Sequence, residues 1–243
     1  MTDFSKGGFM EHQLAQMKEM IDGAINHASI YTWGWFNEGP SDHVGACPAY
    51  GACADYARGR DPTRFGTWAS DKGSSDKCLA HASLLSFNSY PAWYNSPGDL
   101  DCIAPFWENL ANKMAAGTSS SEHGTLRKPF VISETGAGGI FEWDRNASDA
   151  KGAYPKWSLG YQGEVISRDV DVAIKSGNIS GITLVRPLLV PAAAVSQSLE
   201  QPRADHLRTR PRTLSLSLSR SLLLSRSLAL SRVCARSVAL LRL

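Results

Sequence analysis

Two glutamates in this chain stand where carboxylates can do chemistry. Glu38 lies in Phe36-Asn37-Glu38-Gly39 and Glu134 in Val131-Ile132-Ser133-Glu134-Thr135-Gly136, so each follows a strand-like apolar run and precedes glycine within two residues. If both runs are strands of one parallel sheet, their C-terminal ends open on a common face, and the carboxylates can meet there whatever their separation in sequence. Two carboxyl groups about 5 to 5.5 Å apart can cleave a glycosidic bond, one as general acid and then base, the other as nucleophile. A lone strand-end Glu more commonly serves the start of the next helix. The pair must therefore be judged on the elements that position it.

Those elements alternate. Met10, Leu14, Met17, Ile21 and Ile25 recur at spacings of three and four, which predicts a helix over residues 10–25. Ile30 to Phe36 is a β-branched and aromatic run ending at Asn37-Glu38-Gly39-Pro40, which predicts a strand and a turn. Further strands are expected over Phe65 to Asp71, Leu84 to Phe87, Pro129 to Ser133 and Ile179 to Leu184, with helices over Leu100 to Met114 and Gly163 to Lys175. Asp71 to Lys77 and Gly117 to Gly124 are Ser-, Gly- and Lys-containing stretches that read as loops. Strands alternating with helices imply an α/β fold with a parallel sheet or barrel. About five strands are expected before Leu184, where a closed (β/α)8 barrel needs eight.

Composition divides the chain. All 22 aromatics and all 21 glycines fall in residues 1–184, none in 185–243. The first part holds 15 Lys and Arg against 21 Asp and Glu, a net of −6; the last 59 residues hold 10 Arg and 2 acids, a net of +8. From Thr213 the chain is a Leu/Ser/Arg repeat without turn residues, a low-complexity tail not expected to form a folded domain. Ser and Arg interrupt its leucines every few residues, so no apolar run is long enough for a membrane span. With Met1 as the start, no signal peptide is recognisable, and the compartment is left open. Cys47, Cys53, Cys78, Cys102 and Cys234 form no CxxC pair and are too sparse for a disulfide framework. No His or Cys spacing suits a metal, and neither a Walker loop nor GxGxxG is present. No metal and no organic cofactor are expected.

Five ordered motifs then carry a resemblance. Asn26-His27-Ala28-Ser29 leads to a strand ending Asn37-Glu38. Asp61-Pro62-Thr63-Arg64, Asn88-Ser89-Tyr90-Pro91-Ala92-Trp93-Tyr94, Ser133-Glu134-Thr135-Gly136 and Trp157-Ser158-Leu159-Gly160-Tyr161-Gln162 follow in order. Together they resemble the catalytic domain of glycoside hydrolase family two, which includes β-galactosidases, β-glucuronidases and β-mannosidases. The resemblance covers residues 10 to 184, about three quarters of the chain. It implies part of a TIM barrel, about strands four to eight, and a retaining exo-β-glycosidase that takes a β-glycoside substrate through a glycosyl-enzyme intermediate.

By the same resemblance Glu134 is the nucleophile and Glu38 the acid/base. Asn37 binds the hydroxyl next to the anomeric carbon, Tyr90 touches the nucleophile with Asn88 beside it, Tyr94 lies near the sugar, and Trp157 forms a wall. His27 is assigned no chemistry, and Trp33, Trp35, Trp68 and Trp107 are expected in the core. The Asn88 to Tyr94 run is more similar to β-glucuronidases than to β-galactosidases. At Leu184 the resemblance stops: Val185-Arg186-Pro187 stands where the family has Trp-x-Phe.

Two segments are therefore expected, a partial catalytic domain over 1–184 and the tail over 185–243. A barrel short of strands leaves an edge of unpaired backbone, so the 243 residues alone are expected to be marginally folded and to turn over little substrate. A rival reading is a non-catalytic interaction module whose ten tail arginines contact nucleic acid or an anionic surface. The absence of tail Lys and aromatics argues against nucleic acid as a partner. The oligomeric state is not legible.

Overall fold

In a computed structural model of the chain, the residues described are 8–117, 128–140, 154–186 and 236–241. They run α1 (Phe9–Ala24), β1 (Thr32–Asn37), α2 (Cys47–Arg60), β2 (Phe65–Ser70), β3 (Leu85–Asn88), α3 (Ile103–Ala116), β4 (Phe130–Thr135), α4 (Leu159–Lys175), β5 (Gly181–Arg186) and β6 (Arg236–Leu241). The sheet order is β1-β2-β3-β4-β5-β6. The first five strands are parallel to their neighbours, and β6 lies antiparallel along β5, with Gly181 opposite Leu241 and Arg186 opposite Arg236. The five parallel strands form an incomplete (β/α)8 barrel, in which β1 has a neighbour on one side only among the described residues. β6 falls within the Leu/Ser/Arg-rich tail; Cys234 and the rest of the repeat from Thr213 to Ala235 lie outside the described residues.

The parallel strands form because their residues can be buried on both faces. β3 is buried along its whole length. In β1, Trp33 and Trp35 are buried while Gly34 between them is exposed, as alternation requires. Trp33 Nε1 donates to Asp61 Oδ2 at 2.9 Å, and the Trp35 and Trp68 rings sit 5.9 Å apart. Trp107, from α3, is fully buried, so the four tryptophans expected in the core are there.

α2 has no counterpart in the sequence expectations. Its buried residues are Ala49, Tyr50, Gly51, Cys53, Ala54 and Ala57, of which only Tyr50 is large, so there is no stripe of large apolar residues to read. Pro sits in its first turn, where its missing N–H costs nothing. α4 begins at Leu159, four residues before the apolar periodicity shows, because the Ser158 hydroxyl caps it by accepting from Tyr161 N at 3.1 Å.

No α-helix joins β2 to β3. The stretch Asp71 to Lys77, expected as a plain loop, instead carries a 3-10 turn at Gly73–Ser75 and a buried acid, and a second 3-10 turn follows at Leu79–His81. Asp76 Oδ2 accepts from Ser41 and Ser70 hydroxyls at 2.6 Å each and from Trp68 Nε1 at 3.1 Å, and Oδ1 accepts from Cys78 N at 2.8 Å. Lys128 Nζ donates to the carbonyls of Leu79 and Ala80 at 3.0 and 2.8 Å and also to that of Ala82. Cys47 and Cys78, 31 residues apart, form a disulfide with their Cα atoms 5.0 Å apart. Their spacing gave no sign of it, because the β1–α2–β2 crossover is what brings them together.

Asp61 follows α2 and ties the start of β1 to β2. Thr63 Oγ1 and N donate to its Oδ1, and Arg64 Nη1 pairs with Oδ2 at 2.6 Å. The Arg64 guanidinium also reaches the carbonyls of Ile25, His27 and Ile30. His27 thus contributes a backbone acceptor. The Thr63 hydroxyl, with Arg64 and Trp33, holds the Asp61 carboxyl well below the ordinary range, against the burial that opposes it. With the folded pKa depressed, this stabilisation is complete above the unfolded value of about 3.9 and is lost as pH falls. Asp61→Asn should therefore lower stability at pH 7 by roughly 3 kcal/mol and flatten the loss of stability below about pH 4. Urea titrations at the two pH values check this, and equal stability of variant and parent at pH 7 would refute it.

Candidate active site

The side chains singled out in the sequence meet at the C-terminal ends of β1, β3 and β4. Parallel register shifts there in all three: between Gly34 and Asn37, between Phe87 and Asn88, and between Ile132 and Thr135. Such irregularities re-aim side chains at strand ends. Glu38, just past β1, has φ 52°, and its N–H donates to Ala69 O at 2.8 Å. A left-handed backbone at a non-glycine residue costs of order 1–3 kcal/mol and persists where its surroundings fix it. Gly39 is part of that surround: a Cβ there would lie 2.3 Å from Tyr50 Oη.

Asn88 connects the strand ends. It is buried, and its Nδ2 donates to Asn37 Oδ1 at 3.0 Å and to Glu38 Oε1 at 3.1 Å, while its Oδ1 accepts from Ser133 Oγ at 2.7 Å. Glu134 faces Asn88 across the β3–β4 register, and Ser89 N donates to Glu134 O at 3.0 Å. Tyr90 Oη donates to Glu134 Oε2 at 2.7 Å. The Tyr94 ring meets Tyr90 edge-on at 5.3 Å and is 71% exposed. Trp157, at φ 79°, packs edge-on against Trp93 at 4.6 Å, and its carbonyl accepts from Ile140 N at 2.8 Å. Glu38, Asn37, Asn88, Tyr90 and Glu134 thus form one hydrogen-bonded group. Tyr94 extends it through Tyr90, and Trp157, which precedes α4, meets Trp93 from the segment after β3.

Burial pushes the Glu134 carboxyl above its ordinary range, and the negative charge of Glu38 adds to this. The Tyr90 and Asn88 hydrogen bonds pull it back. Tyr90 in turn is driven up by burial and by the carboxylate it serves, so it remains a donor. Glu134 therefore senses the charge of Glu38, while Tyr90 donates to Glu134 and Asn88 donates to Glu38.

Two contributors were missed in the sequence. Ser133 orients Asn88, and its signal is a lone hydroxyl within the apolar run that precedes Glu134. Trp93 backs Trp157, and its carbonyl holds Lys156 Nζ at 2.7 Å. A cavity of about 270 Å³ lies beside the group, lined by Asp71, Lys72, Asn88, Asn95, Phe106 and Lys113 among others, and neither glutamate lines it. Among the described residues no three His, Cys, Asp or Glu side chains come together as a metal site. No helix among them is long and apolar enough to cross a membrane.

A run of parallel strands whose C-terminal ends gather two glutamates defines a barrel domain of the glycoside hydrolase type. The chain belongs to glycosyl hydrolases family 2, whose TIM barrel domain matches residues 4–177. Among solved structures it is similar to a β-galacturonidase of that family from Eisenbergiella tayi bound to galacturonate, with 26% identity and a TM-score of 0.63 over 74% of this chain and 30% of that one. It is also similar to a β-D-glucuronidase from Dictyoglomus thermophilum, with 28% identity and a TM-score of 0.62 over 71% of this chain and 28% of that one. The chain spans less than a third of the length of these proteins. No curated protein matches it in sequence.

The Asn88 contacts generate a direct test. Asn88→Ala strips Asn37, Glu38 and Ser133 of their common partner and should cost about 2 kcal/mol. Ser133→Ala removes one neutral hydrogen bond and should cost about 1 kcal/mol. Denaturant titrations that rank the two variants in the opposite order would remove Asn88 from the centre of the group.

Proposed function

We propose that this chain carries the catalytic face of a retaining exo-β-glycosidase acting on β-uronides, with Glu134 as nucleophile and Glu38 as acid/base. The observation that carries the reading is the shared hydrogen-bond group in which Tyr90 holds one oxygen of Glu134 and Asn88 holds one oxygen of Glu38.

In the first step a carboxylate oxygen of Glu134 bonds to the anomeric carbon while Glu38 gives its proton to the glycosidic oxygen. The carbon–oxygen bond breaks, the alcohol leaves, and a glycosyl ester remains on Glu134. In the second step Glu38, now ionised, takes a proton from water as that water's oxygen attacks the anomeric carbon. The sugar is released, Glu134 returns as carboxylate, and Glu38 regains its proton. The Oδ1 of Asn37 is taken by Asn88, which leaves its Nδ2 to donate to the sugar hydroxyl beside the anomeric carbon, a contact that strengthens as oxocarbenium character develops. Tyr94 and Trp157 supply aromatic walls for the sugar ring. The uronide preference is supported by the two uronidases named above and by the Asn88 to Tyr94 run.

A 2-deoxy-2-fluoro-β-glucuronide with a good leaving group should label the chain, and peptide mass spectrometry should place the label on Glu134. Glu134→Gln should abolish labelling and lower turnover of an aryl β-glucuronide by at least about a thousandfold. Glu38→Gln should lower turnover about 10²- to 10⁴-fold, with aryl groups of high pKa affected most. A label on another residue, or full turnover in either variant, would sink the assignment.

The Tyr90 hydrogen bond lowers the pKa of Glu134, and the nucleophile must be ionised to attack. Tyr90→Phe should therefore move the acid limb of kcat/KM to higher pH, read from a pH profile with the same aryl β-glucuronide. A limb that stays in place or moves to lower pH would contradict this.

A further inference from the structure

We propose that Asp169 is a positioning residue that anchors the Glu134-bearing end of β4 from behind and makes that strand end responsive to pH. The inference rests on the assignment of Glu134 above only for its consequence in turnover. The anchor itself stands on geometry.

Asp169 lies on α4 and is fully buried. Each carboxylate oxygen has one neutral donor: Oδ1 accepts from Trp107 Nε1 on α3 at 2.9 Å, and Oδ2 accepts from Thr135 Oγ1 on β4 at 2.9 Å. Thr135 is the residue after Glu134, and side chains of successive strand residues point to opposite faces. The strand end is thus held on the helix side through Thr135 while Glu134 meets Tyr90 on the other. The next residue leaves no slack. Gly136 has φ 140°, and a Cβ there would lie 2.6 Å from Val185 O on β5.

A neutral amide or an apolar pair would fill such a site without burying a charge, which is expensive unless a cation compensates it. Here no cation does so among the described residues. On α4, Arg168 turns outward to Asp101 and Glu164, and Lys175 pairs with Asp171. On the α3 side the titratable neighbour is Cys102, whose thiol senses the Asp169 charge. On β4 the nearest acid is Glu134, governed by burial, Tyr90 and Glu38. The residues Gly181 to Val185 of β5 bring no ionisable side chain.

Burial accordingly pushes the Asp169 carboxyl up to about 6, against the two hydrogen bonds that favour its charged form. Both of its present partners donate. Protonation of Oδ2 gives that oxygen a proton which, with Trp107 unable to accept, the Thr135 hydroxyl is placed to take up, and the Thr135 proton then turns to another acceptor. The strand end that carries Glu134 therefore has two hydrogen-bonding states, selected by one buried proton.

Nuclear magnetic resonance of the full chain tests this without turnover. Raising the pH from 4 to 8 should shift the Trp107 indole signal and the Thr135 and Gly136 amide signals with one shared midpoint near 6. The step should persist in Glu134→Gln, vanish in Asp169→Asn, and move to higher pH in Thr135→Val, which loses a donor that favours the ionised acid. Should Asp169→Asn not fold, the Thr135→Val shift decides alone.

A step that survives Asp169→Asn, depends on Glu134, or moves Trp107 while leaving Thr135 and Gly136 still would overturn the proposal. So would a Thr135→Val midpoint that does not rise. Turnover separates the two readings. With the step intact but no glycoside hydrolysed, the catalytic assignment fails and the anchor stands. With Glu134-dependent turnover whose pH profile is identical in Asp169→Asn, the anchor is overturned.

Discussion

The site depends on burying one primary amide. Asn88 is enclosed between strand ends with its Nδ2 and Oδ1 committed to Asn37, Glu38 and Ser133, and a buried amide left without partners costs a substantial fraction of a domain's stability. That cost ties β1, β3 and β4 to one relative height and rotation, since any slip separates the amide from an acceptor or a donor. The register shifts at all three strand ends are the local distortions that let the sheet satisfy it. The separation of the two carboxylates follows from this and needs no contact between them.

What keeps the strand ends at that height lies behind them, in three polar ties set into an apolar layer. Asp61 with Arg64 fixes the N-terminal side of β1 against β2. Asp76 and the Cys47–Cys78 bridge fix the segments that follow β1 and β2, including the turn after Glu38. Asp169 performs the same service for β4. Each acid sits where two or more elements converge and is satisfied by donors from them. Such networks specify an arrangement more than they stabilise it, since a half-satisfied version is worse than none. Apolar packing of Trp33, Trp35, Trp68 and Trp107 is tolerant of small shifts by comparison.

Much of this was legible in the sequence, for reasons that also explain what was not. The five parallel strands are readable because burial on both faces demands short runs of apolar residues, as in Val131-Ile132 and Leu84-Leu85. Strand ends alone mark Glu38 and Glu134 as polar groups on one face, and the resemblance carried by the five ordered motifs is what singled out Asn88 and the rest of the candidate site. α2 is hidden because apart from Tyr50 it packs through Ala, Gly and Cys, so its burial leaves no periodic stripe of large apolar residues. Asp76 and Cys78 sit in a Ser-, Gly- and Lys-containing stretch that looks like solvent-exposed loop, and only the crossover that brings Ser41, Ser70 and Trp68 around them makes them core. Asp169 was readable from helical spacing, since it lies four residues after Val165 and three before Val172 on the buried face of α4, but an acid among Arg168, Asp171 and Lys175 reads as one more surface charge.

The electrostatics of the two glutamates follow from the same placement. Glu134 is the more enclosed of the pair in its consequences, since burial and the charge of Glu38 both disfavour its ionised form, yet the proposed role requires that form. Tyr90 resolves the conflict with a hydroxyl that can only donate to it, being itself held far from ionisation by burial and by the carboxylate it faces. The donor is therefore fixed by the field of the acid it serves, and the pair orders itself without a cation. A lysine or arginine in place of Tyr90 would hold Glu134 ionised more strongly. It would also place a second charge beside the carboxylate and lower the charge density on its oxygens. A neutral phenol acts on Glu134 through a single hydrogen bond and adds no charge to the site, so it favours the ionised form of that carboxyl with the smallest effect on its neighbour.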